Sequence, residues 1–246
     1  MITRMDWMGE AIPALGLGTW AIGGPFFAGD DAVGWGETDD AVSLAAISEG
    51  VAAGVRLFDT AQAYGTGHAE ELLGRALFQH PEVRVATKIG IGIDPTRRQL
   101  LGEELDQQRV REGIEASRRR LGRDRIDLVL LHLNSLPVAR AEPVFDVLSD
   151  LRAANAVGAF GWSTDFPDRA AAFAERDGFV AVEHALNVFF RADALLPVIE
   201  AHGLLSINRS PLAMGLLGGR YGAFRDHAKR ILYLVSGRRV RLSRPA

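Results

Sequence analysis

The chain has 246 residues, of which 48% are hydrophobic and 24% charged, values typical of a globular domain with a large core. A formal net charge of -3 argues against the basic surface that binds nucleic acid, and no apolar stretch is long enough to cross a bilayer. The chain has no cysteine, which excludes disulfides and thiolate metal sites, and no metal site is predicted. The first residues lack the apolar run of a signal peptide, so we expect a cytoplasmic protein with no nucleic-acid or membrane partner.

The N-terminal part begins with a short apolar run rich in glycine. Residues 14–22 predict a first strand, and residues 23–37, rich in Gly, Asp and aromatic side chains, predict a loop. Thr38 is the predicted N-cap of a helix over residues 41–53, and Gly54 ends that helix.

The stretch over residues 55–67 is the most informative in the chain. Residues 55–58 predict a short buried strand, Asp59 stands at its C-terminal end, and a loop containing Tyr64 and two glycines follows. Residues 68–77 then predict a helix.

Strands and helices continue to alternate along the rest of the chain. Further strands are predicted over residues 83–89, 126–132, 159–164, 179–188 and 204–208. Helices are predicted over residues 110–121, 143–156, 167–176 and 192–202, and a loop over residues 91–107. This alternation favours a parallel sheet of about seven strands in a single domain.

A closed (β/α)8 TIM barrel has eight such strands, so the pattern is close to a barrel. An open doubly wound sheet is the alternative, and it usually carries a G-x-G-x-x-G sequence after its first strand. Gly16, Gly18, Gly23 and Gly24 do not have that spacing.

Four polar residues stand at or just beyond the C-terminal ends of three successive predicted strands. They are Asp59 and Tyr64, then Lys88, then His132. Each has an ordinary structural interpretation: a turn cap, a rim aromatic, a lysine that reaches solvent, and a buried histidine with its hydrogen bonds satisfied. In a barrel the C-terminal strand ends carry the chemistry, and a buried lysine needs an acidic partner, which Asp59 supplies. The joint pattern therefore predicts one site at the barrel mouth.

Motifs spread over most of the chain resemble those of the aldo-keto reductases. The matching segments are Leu-Gly-Leu-Gly-Thr-Trp (15–20), Phe-Asp-Thr-Ala-Gln-Ala-Tyr-Gly (58–65), Ala-Thr-Lys-Ile-Gly (86–90), Asp-Leu-Val-Leu-Leu-His (127–132), Gly-Trp-Ser-Thr (161–164) and Ser-Pro-Leu-Ala-Met-Gly-Leu-Leu (210–217). The resemblance implies a (β/α)8 TIM barrel of the aldo-keto reductase type. It also implies reduction of small-molecule aldehydes and ketones with NADPH, or less often NADH.

The resemblance implies a role for each of the four polar residues. Tyr64 would protonate the carbonyl oxygen as general acid, and His132 would donate a hydrogen bond to that oxygen. Lys88, held by Asp59, would place a cation beside the phenol. Because a cation favours the phenolate, we expect the pKa of Tyr64 to be lowered.

The resemblance also implies the residues that bind the cofactor. Three groups are implied: residues under the nicotinamide ring, residues at its carboxamide, and residues around the pyrophosphate. In that order they are Gly18, Thr19 and Trp20; Ser163, Thr164 and Glu183; and Ser210, Leu212 and Gly215. Without the resemblance, the last group would be an ordinary glycine-rich loop.

Two of these positions depart from the family pattern. Thr164 stands where the family usually has Asn, and Glu183 stands where many members have Gln. A carboxylate can accept from the carboxamide NH2 but cannot donate to its carbonyl oxygen. Glu183, His184 and Asn187 resemble a subgroup that reads Glu-His-x-x-Asn.

The match to the family pattern fades after about residue 221. Residues 231–235 could form one strand, and the arginine-rich residues beyond have no helical face. We therefore expect a barrel domain over residues 1–246 whose last βα unit is missing or replaced. Unpaired strand edges predict lower stability than in full-length relatives, and the changed end predicts weak cofactor binding with little preference for NADPH over NADH.

Two other functional readings stay open from the sequence. The chain could be a non-catalytic nucleotide-binding barrel, comparable to relatives that act as channel subunits, or an inactive remnant that keeps the site residues. Phe26, Phe27 and Trp35 suggest an apolar lining for a bulky or aromatic carbonyl compound, or simply pack the loop over residues 23–37.

Overall fold

The computed structural model describes residues 3–218. Thirteen strands occur in these residues: β1 Arg4–Trp7, β2 Glu10–Pro13, β3 Gly16–Gly18, β4 Phe27–Ala28, β5 Asp31–Ala32, β6 Leu57–Asp59, β7 Arg84–Ile89, β8 Ile91–Asp94, β9 Gln99–Glu103, β10 Ile126–Leu131, β11 Val157–Ser163, β12 Phe179–Ala185 and β13 Leu205–Arg209. The α-helices in the same part of the chain are α1 Asp40–Ala52, α2 His68–Leu77, α3 Gln107–Leu121, α4 Val138–Ala153, α5 Pro167–Phe173 and α6 Leu196–Ala201.

Seven strands form one parallel sheet that curves into a nearly closed barrel. Their order across the sheet is β3, β6, β7, β10, β11, β12, β13, which is also the order in which these seven strands occur in the sequence. Every pairing in this sheet is parallel. The predicted alternation and the count of about seven strands are therefore confirmed.

The helices cover the outside of this sheet because each buries an apolar stripe. In α3, Val110, Ile114 and Leu121 are buried and pack in the main core cluster, and Gly122 ends the helix with a positive φ of 62°. Asp106 caps its N-terminus by accepting from the Arg109 amide.

Several predicted helix starts differ from the structure. Helix α3 begins at Gln107, where residue 110 was predicted, and α6 begins at Leu196, where residue 192 was predicted. The N-cap of α1 is Asp39, whose carboxylate accepts from the amides of Ala41 and Val42, and not Thr38. Helix α4 begins at Val138, five residues before the predicted start, and carries Pro143 inside its second turn.

The loops predicted over residues 23–37 and 91–107 contain a second, smaller sheet. Strands β8 and β9 form an antiparallel hairpin, β4 and β5 form another, and β4 pairs with β9. This four-stranded sheet lies beside the mouth, because Ile91 of β8, Leu100 of β9 and Val33, which follows β5, line the central cavity.

A hairpin that the sequence did not predict closes the opposite end of the barrel. Strands β1 and β2 pair, and their Trp7 and Ile12 side chains are each only 2% exposed. They pack with interior residues of the barrel strands: Leu57, Ala86, Leu128, Leu130, Ala159 and Ala181. The alanines in this set leave space inside the barrel for the large indole.

The predicted strand over residues 231–235, and the residues expected to replace the last βα unit, lie outside the described residues. Among residues 3–218, no helix is both long and apolar enough to span a bilayer.

Candidate active site

Lys88 lies at the centre of the polar cluster, with a fully buried side chain near the end of β7. Its ammonium donates to Asp59 Oδ1 at 2.5 Å, to the Thr60 carbonyl at 2.9 Å and to Tyr64 Oη at 3.3 Å. An ammonium has three N–H donors, so all three are used. Because Lys88 donates to the phenol oxygen, the proton of Tyr64 stays available for another acceptor.

A tight turn presents Tyr64 to this ammonium. Gly65, which follows Tyr64, has a φ of 60°, and a Cβ built there would lie 1.9 Å from the Gly23 carbonyl oxygen. No other residue fits this close approach, which explains the Tyr-Gly pair in the sequence. The Tyr64 ring stacks on Trp20 with centroids 6.0 Å apart and meets the His132 ring edge to face at 5.7 Å.

Glu183 on β12 brings a second carboxylate to the same lysine. Its Oε2 lies 3.3 Å from Lys88 Nζ, and its side chain is 2% exposed. This atom has no hydrogen-bond partner among the described residues. Oε2 receives no hydrogen bond from Lys88 because the three N–H donors of the ammonium already point to Asp59, Thr60 and Tyr64.

Two carboxylates around one ammonium change the acid–base behaviour of the site. Burial, followed by the negative charge of Glu183, raises the pKa of Asp59 to about 7, although Lys88 opposes the shift. The pKa of Lys88 is raised, because the attraction of Asp59 and Glu183 outweighs its burial. The ammonium therefore stays charged while Asp59 gains or loses a proton near neutrality.

The pKa of Tyr64 is raised, which contradicts the expectation from the sequence. Lys88 does lower it, but burial of the phenol is the larger effect, and the charges of Asp59 and Glu183 also raise it. The sequence identified the cation and named Glu183 as a site residue, but it did not show that Glu183 lies 3.3 Å from Lys88 or that the phenol is buried.

His132 follows β10, and its ring lies against the Tyr64 ring. Burial, with the positive charges of Lys88 and Arg209, lowers its pKa well below the usual range. The imidazole is therefore neutral at physiological pH and keeps one N–H that can donate to a ligand oxygen.

A cavity of about 890 Å³ adjoins the cluster. It opens at the C-terminal ends of the strands and continues between the two edge strands of the sheet, β13 and β3, where Met5, Leu15 and Leu57 also line it. Ligand pockets in proteins have volumes of this order, about 300–1,000 Å³. Its wall combines polar groups of the cluster with an apolar side formed by Trp20, Phe26, Val33, Trp35, Ile91 and Leu100.

Most of the predicted site residues line this cavity. They are Gly18, Trp20, Asp59, Tyr64, His132, Ser163, Glu183, Ser210, Leu212 and Gly215. Lys88 lies behind them and reaches the site through its ammonium.

Thr19 and Thr164 lie beneath the cavity surface, fully buried. The Thr19 hydroxyl donates to the Asp59 carbonyl at 2.9 Å, and the Thr164 hydroxyl donates to the Asn134 carbonyl at 2.7 Å. Their hydroxyls thus hold the loops that carry Asp59 and Asn134, and a direct role in cofactor binding stays a prediction.

The structure adds a polar group at the mouth that sequence reasoning missed. Asp165 accepts from the Ala185 amide at 2.8 Å and pairs with Arg209 at 2.5 Å, and Asn134 donates to it at 3.1 Å. Asn134, Asp165 and Arg209 all line the cavity. Their position at strand ends was the available signal, since each follows or ends a predicted strand.

A parallel barrel with a cavity at the C-terminal strand ends defines the class, an α/β barrel protein with its ligand site at the mouth. The model of the aldo/keto reductase family matches residues 14–231. The chain therefore belongs to the aldo/keto reductase family.

Three curated relatives illustrate the range of the family. The chain is 31% identical to the aldo-keto reductase YhdN of Bacillus subtilis over 211 residues, which cover 84% of this chain and 60% of that protein. It is 31% identical to the NADH-specific methylglyoxal reductase of Escherichia coli over 220 residues, 83% of this chain and 65% of that protein. It is 30% identical to a probable voltage-gated potassium channel subunit beta of rice, Oryza sativa subsp. japonica, over 181 residues, 69% of this chain and 54% of that protein.

Solved structures agree on the fold. A glycerol dehydrogenase from Gluconobacter oxydans is 30% identical with a TM-score of 0.74, covering 92% of this chain and 68% of the other. An aldo-keto reductase from Klebsiella pneumoniae in complex with NADPH is 25% identical with a TM-score of 0.63, covering 90% of this chain and 70% of the other. The chain spans about three fifths to two thirds of the length of the curated relatives in the two bacteria named first.

Aldo-keto reductases use NAD(P)H, and the residues of this cavity fit the nicotinamide end of such a cofactor. Glu183 lines the cavity, and its carboxylate can accept from a carboxamide NH2. Its Oε2, buried 3.3 Å from Lys88 Nζ, has no hydrogen-bond partner in the described part of the chain. Within residues 3–218, no group of three or more His, Asp or Glu side chains is arranged to hold a metal ion.

Proposed function

We propose that this chain reduces aldehydes or ketones to alcohols with NAD(P)H, with Tyr64 as the general acid. NADPH is the expected cofactor and NADH the alternative. The observation that carries the proposal is the Lys88 ammonium, which donates to Tyr64 Oη at 3.3 Å while the His132 ring meets the phenol edge to face. A cytoplasmic location remains our expectation from the sequence.

In this proposal the protein supplies proton, orientation and charge. A nicotinamide cofactor, when bound, supplies the hydride that the carbonyl carbon receives. Tyr64 gives its proton to the carbonyl oxygen, and the neutral His132 donates a hydrogen bond that positions the same oxygen. Lys88 stabilises the negative charge that develops on the phenol oxygen as its proton leaves, and Asp59 holds Lys88 in place.

The cofactor would lie along the cavity wall from β3 to the loop after β13. Gly18, Thr19 and Trp20 would support the nicotinamide ring, with Ser163, Thr164 and Glu183 at its carboxamide. Ser210, Leu212 and Gly215 would surround the pyrophosphate. Ser210 and its neighbours Ala213 and Met214 have positive φ angles of 56°, 47° and 54°, a strained conformation that is often found at ligand-binding loops.

The substrate would be a small carbonyl compound held against the apolar wall. Trp20 and Trp35 meet edge to face with centroids 5.7 Å apart and form a surface suited to an aromatic or bulky substituent. The similarity to a methylglyoxal reductase supports testing a small dicarbonyl as well.

A non-catalytic nucleotide-binding barrel is the second candidate. The similarity to a potassium channel subunit beta supports it. The two candidates agree on cofactor binding and differ on turnover.

Turnover and binding measured together test both candidates. We expect the wild-type chain to oxidise NADPH in the presence of methylglyoxal or an aromatic aldehyde. Tyr64→Phe removes the proton donor and should lower kcat by about 10²-fold or more, while the Kd for NADPH stays within about twofold. Binding without turnover in the wild type would favour the non-catalytic barrel, and a fully active Tyr64→Phe variant would contradict the role of Tyr64.

A further inference from the structure

Glu183 gives the site a carboxylate beyond the one that the lysine needs. Lys88 is paired with Asp59 at 2.5 Å, and Glu183 Oε2 adds a second negative charge 3.3 Å from the same Nζ. When both carboxylates are ionised, the three groups carry one net negative charge. Glu183 is 2% exposed on its side chain, so water screens this charge poorly.

Under the proposed function, a nicotinamide ring would bind next to this excess charge. In the proposed reaction a carbonyl oxygen would accept from Tyr64, and the cofactor's hydride donor would have to approach the adjoining carbonyl carbon closely. Tyr64 Oη and Glu183 Oε2 are each 3.3 Å from Lys88 Nζ, and both residues line the cavity. A nicotinamide ring that delivers hydride to this carbonyl would therefore bind near the Glu183 carboxylate.

We propose that Glu183 makes this site bind the oxidised, cationic form of the nicotinamide cofactor more tightly than the reduced form. This inference rests on the proposed function. The oxidised ring carries a positive charge and the reduced ring is neutral, so a nearby negative charge distinguishes them. A glutamine has nearly the same shape but no charge, so it would not distinguish the oxidised from the reduced ring.

The ionisable groups around Glu183 come from every neighbouring strand. They are Asp59 at the end of β6, Tyr64 in the turn that follows, Lys88 on β7, His132 after β10, and Arg209 on β13, which pairs with Asp165 after β11. On β12 itself, His184 follows Glu183, and burial lowers its pKa. The raised pKa values of Tyr64 and Lys88 and the lowered pKa of His132 keep these three groups from titrating between about pH 6 and pH 8.5.

Asp59 is then the member of this group that changes charge near neutrality, since its pKa is about 7. Below that pH its proton cancels the excess negative charge, and above it the excess charge is present. The preference for oxidised cofactor should therefore be small at about pH 6 and larger at about pH 8.5.

Equilibrium binding tests the inference without turnover. NADP⁺ and NADPH are titrated separately against the purified full chain, with the fluorescence of the cavity tryptophans, Trp20 and Trp35, as the signal. The readout is the ratio of the Kd for NADPH to the Kd for NADP⁺. The adenosine phosphates are common to both ligands and cancel in this ratio.

We expect the wild-type ratio to rise by up to about tenfold from pH 6 to pH 8.5. Glu183→Gln should lower the ratio about tenfold at pH 8.5 and make it nearly independent of pH. Glu183→Asp keeps the charge and should keep most of the preference. Glu71→Gln removes one carboxylate from the exposed face of α2 and serves as the matched control, with an unchanged ratio.

Each outcome decides a different claim. A ratio that Glu183→Gln leaves unchanged, with both ligands still bound, overturns this inference and leaves the proposed function intact. A wild-type ratio that is flat with pH and near one also overturns it, even if the glutamine variant fails to fold. Absence of binding of both ligands to the wild type overturns the proposed function, and this inference with it.

Discussion

Tyr64 keeps its proton because burial outweighs the cation beside it. The pKa of the phenol is raised above its usual value near 10, although Lys88 opposes the shift. The neutral phenol is the form that donates a proton. The acid required by the proposed reaction is therefore present from neutral to strongly alkaline pH.

We predict that kcat/KM for carbonyl reduction shows no alkaline decline due to Tyr64 below about pH 10. A pH profile with NADPH and an aromatic aldehyde measures this. A decline in kcat/KM centred near pH 8 to 9 that is lost only in the Tyr64→Phe variant would contradict the raised pKa of Tyr64. Such a decline would instead support the lowered pKa of Tyr64 that the sequence predicts.

Part of this site could be predicted from the sequence. Asp59, Tyr64, Lys88 and His132 could be placed together because each stands at a strand end in a regular barrel. The direction of the Tyr64 pKa shift could not be predicted from the sequence, because it depends on burial and on Glu183, which lies far away in sequence on β12.

At the scale of elements, a buried ion pair joins the two helices and the strand behind the site. Glu70 of α2 is fully buried, accepts from Arg120 Nε of α3 at 2.7 Å and accepts from the Thr87 hydroxyl of β7 at 2.5 Å. Thr87 precedes Lys88, and α2 begins just after the Tyr64 turn. The pair thus fixes the elements that carry two of the proposed site residues.

We predict that Arg120→Met lowers the free energy of unfolding by about 3–5 kcal/mol, because it leaves the Glu70 carboxylate buried without its cation. Urea unfolding followed by circular dichroism measures the change. Arg119→Met, on the exposed face of the same helix, is the matched control and should change stability by less than about 0.5 kcal/mol. Equal stabilities for the two variants would show that Glu70 does not depend on Arg120.

Elements with a long periodic pattern could be predicted, and short paired strands could not. The core strands β7, β10, β11 and β12 and the helices α1, α2 and α3 follow from apolar runs and helical spacing. Strands β4 and β5 have two residues each, and their hairpin pairs with β9 more than sixty residues away. No local pattern encodes such a pairing, so the sequence predicts loops for both segments.

At the scale of the whole molecule, the barrel has two ends with separate tasks. The C-terminal strand ends hold the polar cluster, whereas the β1–β2 hairpin packs Trp7 and Ile12 into the other end. The cavity extends from the cluster as far as Met5 of β1, and Trp7 and Ile12 do not line it. Barrel enzymes commonly place chemistry at the first end and stability at the second. Substitutions at the two ends should then have separable effects.

We predict that Trp7→Ala lowers the melting temperature by roughly 10 °C and leaves the Kd for NADPH within about twofold. Removal of an indole that is 2% exposed empties a cavity inside the barrel, which costs about 3–5 kcal/mol, and each kcal/mol shifts the midpoint of a domain of this size by about 2–4 °C. Thermal unfolding by circular dichroism and NADPH titration measure the two effects.

Met8→Ala is the control on the same hairpin, since Met8 is 44% exposed and should give little change in either measurement. If Trp7→Ala instead weakened NADPH binding without a change in melting temperature, the hairpin would be coupled to the mouth. The two ends of the barrel would then act as one unit, because the interior side chains between them, such as Leu128 and Leu130 of β10, would transmit the change along the strand.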